Sequence, residues 1–238
     1  MIYKVISTGS DGNAVLINGN LLIDCGVPYK MVEPYIRDIK LVLLTHIHGD
    51  HFRPSTVAML ARMRPSLRWC APAWMAQPLS DAGVMRGCID VIKPGPQGRL
   101  VYCIGDKAVV VAAEELQHNV PNVGYKLRIG DEWVFYATDT GTLDGISAKN
   151  YDLYLIEANH TQVEITQRLM EKLQAGEYAY EYKAAENHLS KEQATDWLLE
   201  NVGPNSEYQF LHQHKGGLED GCNIQENIPD ILDGQQGG

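Results

Sequence analysis

Residues 40–51 read Lys40-Leu-Val-Leu-Leu-Thr45-His46-Ile47-His48-Gly49-Asp50-His51, and this stretch decides the fold. Its apolar run predicts a buried β-strand, and four potential metal ligands follow within six residues. Neutral imidazole and carboxylate are donors that zinc and manganese accept. Each of these groups would lose hydration if it were buried without a cation. The segment therefore predicts a metal site at the carboxyl end of a strand.

Further polar side chains follow other predicted strands. Residues 132–137, 151–156 and 208–211 are short apolar runs that predict strands. In layered α/β folds, ligands and catalytic groups collect at the carboxyl ends of strands. Residues that are far apart in sequence are therefore expected to converge at one edge. They are His46, Asp139, His160 and His212.

The remaining local signals predict more strands and two helices. Strands are expected over five other apolar runs, at 4–8, 14–17, 21–24, 107–112 and 122–129. Ser55 is expected to cap a helix that runs through Leu60. Ser190 and Gln193 fit a capping box, which predicts that a second helix begins after Ser190. Strands and helices in this order favour an α/β protein.

Length, charge and cysteine content restrict the class of protein. A chain of 238 residues fits one sizeable domain, predicted over residues 1–216, with a polar, partly disordered tail over 217–238. The net charge of −10 argues against a broad, nonspecific nucleic-acid surface. No apolar run has the length of a bilayer span, so no membrane partner is expected. Five cysteines without C-x-x-C spacing favour reduced thiols and a cytoplasmic location.

The histidine segment resembles the T-H-x-H-x-D-H motif of the metallo-β-lactamase superfamily. Two other stretches match that family's pattern, namely Leu21-Leu-Ile-Asp24-Cys-Gly and Ala137-Thr-Asp139-Thr-Gly. The resemblance implies an α/β fold, the four-layer αββα sandwich, with two divalent metal ions, Zn²⁺ or Mn²⁺, between the sheet edges. It implies three ligands for the first ion, three for the second and a bridging aspartate. In this sequence these are His46, His48 and His118, then Asp50, His51 and His212, and finally Asp139.

A narrower resemblance covers the chain from Ile2 to about Lys215. The stretches 7–13, 139–141, 157–160 and His188-Leu-Ser190 together resemble the YycJ-type (WalJ-type) hydrolases, which are related to ribonuclease Z, ribonuclease J and small phosphodiesterases. This implies hydrolysis of a phosphodiester, with DNA or RNA ends as the substrate class. It implies that Asp50 accepts a proton from the attacking water and that His188 acts as general acid. His160 would hold a phosphate or orient a ligand.

Several alternatives remain open at this stage. A thioester or lactone hydrolase, or a small-molecule (cyclic) phosphodiesterase, would use the same ligand set, and a noncatalytic metal-binding protein would also bind metal. His214 competes with His212 as the last ligand, although His212 follows the strand directly. His188 can also be interpreted as a surface residue and His160 as a core residue. Asp24 is expected to orient the histidine loop, and residues 9–13 are expected to form a plain hairpin turn. The sequence does not specify the oligomeric state.

Overall fold

The computed structural model describes residues 1–96, 98–175 and 186–213, and within them twelve strands form two six-stranded sheets. The first sheet contains, in spatial order, β1 (Tyr3–Ser7), β2 (Ala14–Ile17), β3 (Leu21–Ile23), β4 (Leu41–Leu43), β5 (Arg68–Pro72) and β6 (Ile89–Ile92). The second contains, in spatial order, β12 (Glu207–Leu211), β11 (Leu153–Glu157), β10 (Glu132–Ala137), β9 (Asn122–Ile129), β8 (Lys107–Leu116) and β7 (Arg99–Ile104).

Both sheets are mixed, and their parallel strands end at common edges. In the first sheet β3 to β6 are parallel, and Ile23, Leu43 and Cys70 share one register. In the second sheet β10, β11 and β12 are parallel, and Glu157 pairs with Leu211. Residues that follow these strands therefore lie side by side, as the sequence predicts for the strand ends.

Five helices lie in the described part of the chain. They are α1 (Tyr29–Val32), α2 (Pro54–Met63), α3 (Ala76–Asp81), α4 (Gln162–Ala175) and α5 (Lys191–Asn201), with 3₁₀ turns at Glu33–Tyr35, Ala73–Met75 and Arg86–Cys88. The predicted capping box of α5 is confirmed, because Ser190 and Gln193 each bond the other's backbone N–H. The prediction that Ser55 caps α2 is wrong. Pro54 occupies the first helical turn, where its missing N–H costs nothing, and Arg53 is the cap residue.

Three apolar clusters separate four layers, which confirms the αββα sandwich. Leu21, Ile23, Leu41 and Leu43 face the second sheet in the central cluster. The alternating residues of these strands, such as Leu22, face the helices of the first sheet. A third cluster lies between the second sheet and α5. Each fully buried aliphatic side chain contributes about 1.5–3 kcal/mol, so register in both sheets is strongly specified.

Some sequence predictions concern residues outside the described part. The polar tail over 217–238 and the alternative ligand His214 both lie there, and the domain boundaries stay a prediction. Cys25, Cys70, Cys88 and Cys103 are free thiols, whereas Cys222 is also outside. Within residues 1–96, 98–175 and 186–213, no helix has the length and apolar character needed to cross a membrane.

Candidate metal centre

Three residues of the centre turn sharply just after a strand. Asp24, Asp139 and His212 have backbone φ angles of 58°, 57° and 52°. Few non-glycine residues adopt this left-handed conformation, and it costs on the order of 1–3 kcal/mol at each position. The surrounding hydrogen bonds maintain it and direct the side chains inward from the sheet edges. These turns bring residues from both sheets to one place.

The first group of potential ligands consists of three imidazoles. His46, His48 and His118 each offer a ring nitrogen, and the three nitrogens lie within 4.8 Å of one another. His118 Nε2 is 3.3 Å from His48 Nδ1, and His118 Nδ1 is 3.3 Å from the carbonyl oxygen of Asn187. Strand β8 extends four residues beyond the predicted end at 112, so His118 follows it closely. The predicted ligands of a first ion are therefore together.

The second group combines carboxylates and imidazoles. Asp50, His51, Asp139 and His212 also place one ligand atom each within 4.8 Å of the others. His51 Nε2 is 2.6 Å from Asp139 Oδ2, and His212 Nε2 is 3.5 Å from Asp50 Oδ2. The same Asp139 Oδ2 is 3.3 Å from His46 Nε2. Asp139 thus lies between the two groups, where the resemblance expects a bridging carboxylate.

Asp24 orients the histidine segment, as expected from the sequence. Its carboxylate is fully buried and accepts hydrogen bonds from the Thr45 N–H at 2.9 Å and the Thr45 hydroxyl at 3.0 Å. It also lies 2.7 Å from His51 Nδ1. This contact holds the ring of His51 with its other nitrogen toward the centre. Carboxylates that support a ligating histidine in this way tune metal binding.

Residues 9–13 form the loop of the antiparallel β1–β2 hairpin, as predicted, and the loop also contacts the centre. Asn13 is buried, and its Nδ2 is 2.8 Å from His51 Nε2 and 3.4 Å from Asp50 Oδ2. Its Oδ1 accepts the Gly9 N–H at 2.9 Å, which fixes the orientation of the amide. The neighbouring Thr8 hydroxyl accepts the His212 N–H at 2.6 Å. The loop therefore connects the two sheets at the second ligand group.

A third group includes a residue to which the sequence reasoning assigned no role. Glu157 ends β11, is fully buried, and lies with His188 near Asp139 and His212. Its Oε2 is 3.0 Å from His188 Nδ1. His188 is therefore half-buried and paired, with 19% of its side chain exposed, rather than a plain surface residue. The signal that could have identified Glu157 was its position as a carboxylate at a strand end.

His160 is the one predicted site residue outside all three groups. It is nine-tenths buried, and its backbone carbonyl accepts the Lys191 N–H at 2.8 Å. This contact joins the end of β11 to the start of α5. Its Nδ1 is buried without a hydrogen-bond partner among the described residues. The proposed catalytic role of His160 stays a prediction.

The charges of the centre are strongly coupled. Burial and the imidazole of His51 lower the pKa of His46 to about 2, so His46 presents a neutral ring. Burial opposes the charged form of His51, but Asp139 and Asp24 outweigh it and hold the pKa of His51 well above its ordinary value. Burial likewise disfavours the charge on His212, yet the nearby carboxylates of Asp50 and Glu157 outweigh it and raise the pKa of His212 to about 10. Protons therefore supply part of the positive charge that the carboxylates require.

The residues fit divalent cations. His46 Nε2, Asp139 Oδ1 and His212 Nε2 are buried without a hydrogen-bond partner among the described residues. Buried polar atoms in folded proteins are nearly always paired, so these orphaned atoms need an explanation. Imidazole nitrogens and carboxylate oxygens are donors for zinc and manganese. Cations bound by the first two groups would satisfy the orphaned imidazole nitrogens.

Residues 19–205 match the model of the Beta-lactamase superfamily domain. The chain belongs to this family. No curated protein is significantly similar to it in sequence. Its membership explains why the T-H-x-H-x-D-H segment, the strand-end aspartates and the two sheets occur together. The superfamily that the sequence resembles is thereby confirmed.

Solved structures of the same fold include three from different organisms. The metallo-beta-lactamase fold protein YhfI from Bacillus subtilis has a TM-score of 0.65 at 17% identity, covering 91% of this chain and 87% of that one. Human tRNase Z, short form, has a TM-score of 0.63 at 15% identity, covering 90% and 93%. Zn²⁺-bound PqqB from Methylobacterium extorquens has a TM-score of 0.61 at 11% identity, covering 90% and 89%. At these identities the likeness shows the fold alone. Family membership and the ligand cluster support a metal-dependent hydrolase.

Proposed function

We propose that the protein is a dimetal-dependent phosphodiesterase that acts on the ends of DNA or RNA. The observation that carries the proposal is the pairing of His188 with the buried carboxylate of Glu157 beside the two ligand groups. A phosphodiester in a nucleic acid expels an alkoxide, which is a poor leaving group and needs a proton. A thioester expels a thiolate, which needs none, so the pair has no evident purpose there.

The first two ligand groups are suited to hold one ion each. His46, His48 and His118 would bind the first, and Asp50, His51 and His212 would bind the second, with Asp139 shared. Two divalent ions, Zn²⁺ or Mn²⁺, would supply a water molecule of lowered pKa and positive charge for a phosphoryl oxygen. Asp50 keeps about a quarter of its side chain exposed, so it can meet that water and accept its proton. Asn13 donates to the same carboxylate and fixes its direction.

The Glu157–His188 pair then supplies the proton for the leaving group. His188 Nδ1 donates to Glu157 Oε2 at 3.0 Å, which orients the ring and leaves Nε2 for the substrate. Glu157 is itself fixed, because its Oε1 accepts the backbone N–H groups of Thr140 at 2.6 Å and Leu189 at 3.2 Å. The acid is thus held by the segment that follows Asp139 and by the residue next to His188.

Nucleic acid as the substrate and the cytoplasm as the compartment are part of the same proposal. The fold likeness to human tRNase Z, short form, adds support for a polynucleotide substrate. The four free cysteines of the described part are compatible with a reducing compartment. Because the chain carries a net charge of −10, we expect it to bind a short stretch near the reacting phosphate rather than a long duplex.

A substrate panel tests the proposal directly. The purified protein would be assayed with bis-p-nitrophenyl phosphate, a cyclic nucleotide, single-stranded DNA, RNA and a thioester. We expect phosphodiester cleavage that a chelator abolishes and that added zinc or manganese restores. Rapid thioester turnover without phosphodiester cleavage under either metal would overturn the proposal. Preference for the cyclic nucleotide would redirect it to a small-molecule substrate.

A further inference from the structure

Asp139 directs its two carboxylate oxygens to different sides of the centre. Oδ2 contacts His46 and His51, in the ligand groups of the two proposed ions. Oδ1 points the other way, 3.4 Å from His188 Nδ1 and 3.3 Å from His212 Nδ1. Oδ1 has no hydrogen bond of normal geometry within the described part, although Asp139 is only 2% exposed. A buried oxygen in this state points to a ligand on the Oδ1 side.

The atoms around Oδ1 have the spacing of a zinc site. Glu157 Oε2 is 3.0 Å from His188 Nδ1 and 3.6 Å from His212 Nδ1. Together with the distances from Asp139 Oδ1, four separations fall between 3.0 and 3.6 Å. Zinc bonds of about 2.1 Å in a tetrahedron separate neighbouring ligand atoms by roughly 3.4 Å. Two carboxylate oxygens and two imidazole nitrogens therefore lie close enough together to hold one cation.

Only some of these atoms are available when two ions are already bound. His212 would use Nε2 for the second ion, and a neutral imidazole cannot also bind a metal through Nδ1. Asp139 Oδ1, Glu157 Oε2 and His188 Nδ1 remain free of the first two ions. Three protein ligands and one water complete a zinc coordination sphere. The 19% exposure of His188 gives a cation access from solvent.

We propose that Asp139 Oδ1, Glu157 Oε2 and His188 Nδ1 form a third, weaker cation site whose occupation inhibits the enzyme. A cation on His188 Nδ1 takes the place of the proton that Nδ1 donates to Glu157, so the hydrogen bond that holds the acid is lost. The acid is lost while the first two ligand groups stay filled. The inhibition rests on the proposed function, whereas the binding of a third ion does not.

Metal titration tests the site without reference to activity. Chelator-treated protein would be titrated with Zn²⁺ alone and followed by calorimetry and by competition with a chromophoric chelator. We expect two tighter equivalents and a third that binds at least about 10-fold more weakly. His188→Ala and Glu157→Gln should each lose the third equivalent and keep the first two. His160→Ala is the matched control, since His160 lies outside all three groups, and it should keep three.

The stoichiometry of the unaltered protein is decisive even where a variant misfolds. Saturation of the unaltered protein at two equivalents would overturn the third site, and so would a third equivalent retained in folded His188→Ala.

In activity assays, zinc in excess of two equivalents should slow hydrolysis of a dinucleotide about 10-fold or more. Hydrolysis of a p-nitrophenyl ester should slow less than about threefold, because p-nitrophenolate leaves without a proton. Equal slowing of both substrates would overturn the inhibition mechanism. Absence of all phosphodiester cleavage would overturn the proposed function but not the binding result.

Discussion

Replacing Glu157 by glutamine removes one charge from the centre with little change in size. The amide can keep the two hydrogen bonds that Glu157 Oε1 accepts from the Thr140 and Leu189 N–H groups. What it loses is the negative charge 3.0 Å from His188 Nδ1. The variant should therefore fold and retain the first two ions. It should lose the charge-assisted hydrogen bond that His188 Nδ1 donates to Glu157 in the unaltered enzyme.

The size of the effect follows from that single contact. A hydrogen bond to a charged group contributes about 1.5–3 kcal/mol, and about 1.4 kcal/mol corresponds to a tenfold change in rate. Because Glu157 is fully buried, solvent does not weaken the contact. We expect kcat/KM for a dinucleotide to fall about 10- to 150-fold. For the p-nitrophenyl ester of thymidine 5′-phosphate, whose leaving group needs no proton, we expect less than about a threefold fall.

The double variant separates action through His188 from a direct role. His188→Ala alone should lower the rate on the dinucleotide by about 10²–10⁴, the usual contribution of a positioned acid. Adding Glu157→Gln to it should cause little further loss, since the partner is already absent. Losses that multiply in the double variant, or equal losses on both substrates, would refute the assignment of Glu157 as the residue that positions the acid.

Four other outcomes are expected. Elemental analysis at limiting zinc should find two tightly bound equivalents of metal in the unaltered protein and about one in His212→Ala. An unchanged metal content in the variant would exclude His212 as a ligand. Asn13→Ala should lower the affinity for the second metal equivalent by about 10- to 100-fold in chelator competition, because the Asn13 amide contacts Asp50 and His51 in the second ligand group. An unchanged affinity would mean that these contacts do not support metal binding. Gly26→Ala should lower the free energy of unfolding by about 1–3 kcal/mol or more in thermal melting, because an added Cβ would overlap the Asp50 carbonyl. Gly49→Ala is the control, since its added Cβ meets open space and should leave stability unchanged. Equal melting temperatures for the two variants would contradict this prediction. The pKa of His212 is raised to about 10 in the metal-free protein, so His212 is protonated at pH 7.5. Metal binding should therefore release protons, and the affinity for metal should increase as pH rises towards 10. Equal binding heats by calorimetry in two buffers of different protonation enthalpy would argue against proton release.

The strand ends could be predicted because polar residues there have few structural alternatives. Four ligand-type side chains directly after an apolar run indicated a site before any topology was known. The capping box at Ser190 was equally clear, since both of its hydrogen bonds depend on residues three apart. The end of β8 was predicted too early because the apolar run stops before the charged Glu114 and Glu115, although Glu114 pairs with Lys126 on the neighbouring strand. That pairing is a tertiary contact that no local pattern contains.

Glu157 and Asn13 could not be assigned a role from sequence for a related reason. Each lies in a stretch with an ordinary local explanation, a strand end for Glu157 and a turn for Asn13. Their importance arises from partners 31 and 37 positions away, His188 and Asp50 respectively. Sequence patterns report local periodicity, so they identify which residues reach the edge of a sheet. They do not report which of those residues share a proton or a cation there.

The charge balance of the whole centre also favours a phosphodiester over a thioester. Asp24, Asp50, Asp139 and Glu157 are the carboxylates that contact the histidines of the three groups. Two divalent ions would balance their four negative charges, and the proton that the proposed mechanism places on His188 would add one positive charge to a largely buried site. A phosphodiester carries one negative charge and would neutralise it on binding, whereas a neutral thioester would leave it uncompensated. The carboxylates that hold the ions and the acid therefore also set the charge of the substrate that the centre is expected to accept.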